Sequence, residues 1–159
     1  MQRRHLIALS SVAAVTLHFA ARAQTGPQPD LPKEKLVIVT HDGQRHDFTV
    51  EMALTSDQQM TGLMFRKSVP ADGGMLFDWG NDREMAMWMK NTLIPLDMLF
   101  INADGTIRAI AENTVPESLV PIPSHGPVRA ALELAAGTAE RLNIVVGDKV
   151  IQRIFGNAS

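Results

Sequence analysis

Apolar and polar positions along this chain fall into short runs with the two-residue period of strands. Leu36-Val37-Ile38-Val39-Thr40 is a compact β-branched run, and His41-Asp42-Gly43-Gln44 supplies an Asp-Gly turn. Phe48, Val50 and Met52 then alternate with polar neighbours, which predicts a hairpin. Ser56 and Gln59 have capping-box spacing, and Met60, Leu63 and Met64 share one helical face, so a short amphipathic helix is expected next. Further strands are predicted over residues 75–77, 85–89, 98–101, 106–111, 128–134 and 149–155. Turns are expected at Asn102-Ala103-Asp104-Gly105 and at Gly147-Asp148, with one helical turn over 138–142. This alternation predicts a mainly β, β-rich α+β domain: a compact antiparallel sandwich or partly closed barrel with one or two short helices.

The ends of the chain read differently. Arg3, Arg4 and His5 precede an apolar stretch that runs to Phe19 and Ala20, and Ala21-Arg22-Ala23 has the small-x-small form of a signal-peptidase site. Ser10, Ser11, Thr16 and His18 interrupt that stretch, making it too short and too polar for a span of ~20 residues. Residues 1–23 are therefore expected to be a signal peptide, with Arg3-Arg4 leaving a twin-arginine route open beside the general one. Residues 24–35, with three prolines, read as a disordered leader, 36–155 as a single β-rich domain and 156–159 as a tail. The expected location is periplasmic or secreted.

Composition narrows the functions. At 159 residues the chain holds one core. Its 17 acidic residues outnumber 15 basic ones, and signal cleavage would remove three arginines, so no nucleic-acid partner is expected. No membrane partner is expected after cleavage. The absence of Cys excludes a disulfide scaffold, a thiolate metal site and a Cys nucleophile. No cofactor is called for, and no complete catalytic signature is present, so no residue is assigned as catalytic.

The densest chemistry lies in Trp88-Met89-Lys90-Asn91-Thr92-Leu93-Ile94-Pro95-Leu96-Asp97. Strand alternation puts Met85, Met87 and Met89 on one face and Ala86, Trp88 and Lys90 on the other, which suggests a hairpin with the strand from Met98 to Ile101. Together with Gly62-Leu63-Met64-x-Arg66, Gly74-Met75-Leu76-Phe77, Leu132-Glu133-Leu134-Ala135-Ala136-Gly137 and Gly147-Asp148, this run resembles the family known only as domain of unknown function 192. The resemblance covers about residues 36–150 and implies a compact, β-rich, often exported domain with no established activity. Met85 and Met87 look individual to this chain.

Three functional readings follow. In the first, Arg66, Trp88, Lys90, Asn91, Asp97 and Glu133 line a binding site at one end of the β structure for an unidentified small molecule or protein. The plainer version makes Arg66 and Lys90 ion-pair partners of Asp97 and Glu133, a purely structural network. The second reading is a hydrolase-like enzyme using Asp97 or Glu133 as general base. The third is Cu(I) handling by the thioethers of Met85, Met87 and Met89, opposed by ordinary core packing of methionine. His41, His46 and His125 are expected to be solvated loop residues, and Pro121–Pro127 a stiff loop suited to a pocket rim or a protein contact.

Overall fold

In the computed structural model, which describes residues 25–158, the strands form one sheet. They are β1 (Lys33–Val39), β2 (Arg45–Ala53), β3 (Gly73–Met87), β4 (Leu96–Ile101), β5 (Ile107–Ala111), β6 (Ile122–Ala135) and β7 (Lys149–Ile151). Two short helices, α1 (Ser56–Thr61) and α2 (Thr138–Leu142), and a closing 3-10 turn complete the described chain. The fold is mainly β, as the alternation predicts. The sheet, ordered β5-β4-β6-β3-β2-β1-β7, curls into a half-barrel. At one end its edges meet: Thr106 bridges Lys149, and the Val150 N–H donates to the Gly105 carbonyl at 2.8 Å. The expected signal peptide lies outside the described residues.

Strand alternation divides the core in two. Leu36, Ile38, Val50, Leu76, Leu99, Ile107, Leu132 and Val150, from all seven strands, fill the inside of the curl. Met75, Phe77, Met98, Phe100, Val128 and Ala131 pack on the outer face. Both faces of β4 are buried, which is why Leu96–Ile101 reads as an unbroken apolar run rather than an alternating one.

β2 and β3 pair in parallel, unlike every other neighbouring pair. A parallel pair needs a crossover, and here α1 provides it. Thr55, one residue before the expected cap, closes the capping box with Gln58. Its six residues bury none of their number, so α1 stands off the sheet instead of packing into it. The Gln59 amide pins it by donating to the carbonyls of Ala53 (3.0 Å) and Asp78 (2.7 Å). Gly62 ends the helix at positive φ directly over the Phe77 ring, where a Cβ would lie 3.1 Å from the ring edge.

Several expectations give way to long-range pairing. β3 ends at Met87 and pairs with β6, not β4, so Trp88–Asp97 is a loop entering β4 and not the turn of a hairpin. Fourteen-residue β6 lies between β3 and β4, a placement that local periodicity does not report. Residues 122–127, expected as a stiff loop, begin β6. Their prolines fit because this half of the strand lies beyond its pairing with β4, opposite an irregular stretch of β3. The expected leader is also docked: the Gln28 amide donates to the carbonyls of Gln58 and Gly62, and the Leu31 N–H to Glu51. The last predicted strand shortens to β7, followed by the 3-10 turn.

Candidate functional site

The space left beneath α1 is a cleft of about 1240 Å³. The outer face of β3 supplies one wall through Phe77, Trp79, Met85 and Met87, and α1 with the following turn supplies the other through Gln59, Met60 and Met64. Trp88, Lys90 and Asn91 close one end. Their loop is fixed from within: Met89 is fully buried, its N–H donates to the Ser118 carbonyl, and its sulfur accepts from Thr114 Oγ1 at 3.2 Å. Asn91 takes the left-handed conformation that asparagine tolerates, and its carbonyl accepts from the Phe65 N–H at 2.8 Å, tying both walls together.

Glu133 forms the floor. It projects from β6 to the outer face, in register with Met75 on β3 and Met98 on β4, and is 4% exposed. Its Oε2 has no hydrogen-bond partner. Burial among apolar side chains pushes the carboxyl up to about 8, so it is protonated and neutral at pH 7. Asp57, Arg83 and Lys90 are the other charged groups lining the cleft, all at its exposed mouth. Gly74 lets β3 approach here, since a Cβ at that position would collide with the Glu133 carbonyl oxygen.

Four of the six residues singled out in the sequence, Trp88, Lys90, Asn91 and Glu133, share this cleft. Trp88 is half exposed, with the Lys90 ammonium 5.1 Å from its ring centroid, a cation–π contact. Arg66 and Asp97 lie elsewhere. Arg66 pairs with Glu51 (3.1 Å) and Asp30 (2.9 Å), holding the N-terminal segment against β2. Asp97, on the inner face, accepts from the backbone N–H groups of Asn113 (2.9 Å) and Ala139 (2.8 Å). The second contact caps α2, whose Gly137 N-cap has no side chain to offer. The ion-pair network joining Arg66 and Lys90 to Asp97 and Glu133 is therefore not formed.

The same geometry bears on the other readings. Asp97 and Glu133 occupy opposite faces of the sheet, so they do not form the carboxylate pair of a hydrolase. Met85 and Met87 face the cleft, whereas Met89 belongs to the core with its sulfur engaged, so the three thioethers do not form one ligand set. Of the histidines, His46 is partly buried on β2, His125 lies within β6, and His41 Nδ1 sits 3.4 Å from Asp148. Sequence reasoning missed Gln59, Trp79 and Arg83. One signal was available: the chain has only two tryptophans, and both line the cleft.

The sheet thus curls into a half-barrel with a cleft on its outer face, floored by a buried acid with an unpaired oxygen. The family model for DUF192, described as "Uncharacterized ACR", matches residues 37–152, and the chain belongs to that family. Two crystal structures are similar to it. One, from Sinorhizobium meliloti 1021 and described as a "putative transcription regulator", is 48% identical with a TM-score of 0.78, covering 80% of this chain and 98% of its own. The other, a protein of unknown function from Novosphingobium aromaticivorans DSM 12444, is 38% identical with a TM-score of 0.75, covering 87% of this chain and 100% of its own. No curated protein matches the chain.

Proposed function

We propose that this chain is an exported binding module whose site is the cleft over Glu133 and whose ligand is a largely apolar small molecule. One observation carries the reading. A buried carboxyl with an unpaired oxygen costs stability, and a fold that needed only packing would place an apolar residue between Met75 and Met98. Its position on the floor of an open cleft supports a role toward a ligand. Methionine walls suit that role because thioether side chains adapt to varied apolar shapes. Export rests on the Arg3-Arg4 start, the apolar stretch and Ala21-Arg22-Ala23.

The test uses the two tryptophans. Titration with 1-anilinonaphthalene-8-sulfonate, an apolar fluorescent sulfonate, is expected to give saturable one-site energy transfer from Trp79 and Trp88. Met60→Glu, which puts a negative charge on the α1 wall of the cleft from an exposed position, is expected to weaken it several-fold without lowering the melting temperature. Non-saturable transfer, or transfer indifferent to Met60→Glu, would contradict the reading.

A further inference from the structure

The cleft has a polarity from mouth to floor. Arg83 and Lys90 stand at the mouth, exposed, and neither has a carboxylate partner among the described residues. Asp57 is the one acid that lines the mouth with them, while Asp82 and Glu84 flank Arg83 in β3 without lining the cleft. Between mouth and floor the walls are Met60, Met64, Phe77, Trp79, Met85 and Met87. At the floor, Glu133 is flanked in register by two methionines, so nothing there stabilises a carboxylate. A protonated carboxyl presents an O–H donor that must be given to an acceptor. The volume of about 1240 Å³ exceeds the roughly 300–1,000 Å³ of most small-molecule pockets, leaving room for an extended chain.

We infer that the cleft takes an anionic amphiphile with a carbonyl group in its apolar part, the anion held by Arg83 and Lys90 and the carbonyl accepting a hydrogen bond from Glu133. This rests on the binding reading above and narrows it to a ligand class. An organic ammonium is the rival, because it would pair with an ionised Glu133. It would have to enter past the two cations that line the mouth, and the floor offers it no second carboxylate.

Calorimetric titration below micelle concentrations separates the cases with three probes of equal chain length. Monomethyl dodecanedioate carries a carboxylate at one end and an ester carbonyl at the other, dodecanoate lacks the carbonyl, and dodecyltrimethylammonium reverses the charge. The monoester is expected to bind about two- to twelvefold more tightly than dodecanoate, the span of one neutral hydrogen bond, and more tightly still than the ammonium. Glu133→Met should erase the monoester's advantage while leaving dodecanoate bound. Arg83→Ala combined with Lys90→Ala should weaken both anions several-fold and leave the ammonium unweakened. Stronger binding of the ammonium, or a monoester advantage that survives Glu133→Met, would overturn the inference. If no chain probe binds while the naphthalene sulfonate still fills the cleft, this ligand class fails alone. If the sulfonate also fails, the binding reading falls with it.

Discussion

Asp97 and Glu133 stand on adjacent strands, Asp97 in register with Leu134, and both are almost wholly withdrawn from water. Asp97 faces inward and is satisfied by two backbone N–H groups, one of which begins α2. Glu133 faces outward, between two methionines, with an unpaired oxygen and its carboxyl pushed up to about 8 by burial. Two acids one register step apart thus have opposite consequences. The first holds the fold together, and the second costs it stability.

Of the two acids, Asp97 is the costlier to remove. Asp97→Ala strips the buried Ala139 N–H and the part-buried Asn113 N–H of their charged acceptor and is expected to cost about 3–5 kcal/mol in a denaturant titration. A loss under 1 kcal/mol would remove its structural role. Glu133→Met should act in the opposite sense, raising stability by about 3 kcal/mol at pH 7, because it replaces an acid held neutral against its ordinary range with an apolar side chain of similar size. Destabilisation of that size would instead make Glu133 a structural residue.

A pH series sharpens the same contrast. The carboxyl's value is raised on folding, so the folded chain retains a proton that the unfolded chain releases above about 4.5. Its contribution to stability is greatest below pH 4.5, falls by about 1.4 kcal/mol per pH unit up to about 8, and is constant beyond. Subtracting the Glu133→Met curve from the wild-type curve should isolate that slope, and a flat difference between pH 5 and 8 would refute it. The smallest effect is expected at the mouth. Lys90→Ala loses an exposed cation–π contact and should change stability by no more than about 0.5–1 kcal/mol by thermal unfolding. A larger loss would mark the Trp88 loop as structural.

How much of this was legible in the sequence follows from the range of each interaction. The β1–β2 hairpin, the turn at Asn102–Gly105 and the span of α2 depend on neighbouring residues, and local pattern reports them. The placement of β6 between β3 and β4 depends on contacts far apart in the chain, so the hairpin expected around Trp88 was a loop. The parallel β2–β3 pair was equally hidden, and with it the reason α1 stands off the sheet. Trp88, Lys90, Asn91 and Glu133 were recognisable as unusual chemistry, and they do share one cleft. Arg66 and Asp97 carried the same outward signal but met backbone and carboxylate partners that only the folded chain supplies.

The state of one proton, on the Glu133 carboxyl, decides whether the cleft floor is neutral. Carboxyl-carbon NMR of glutamate-labelled protein, with Glu133→Gln used to assign the resonance, would follow Glu133 through a pH titration. The expected result is a single shift with its midpoint near 8 and a protonated carboxyl at pH 7. A midpoint in the ordinary range near 4.5 would mean that the acid is solvated or paired, contradicting the claim that the cleft keeps it neutral for a ligand.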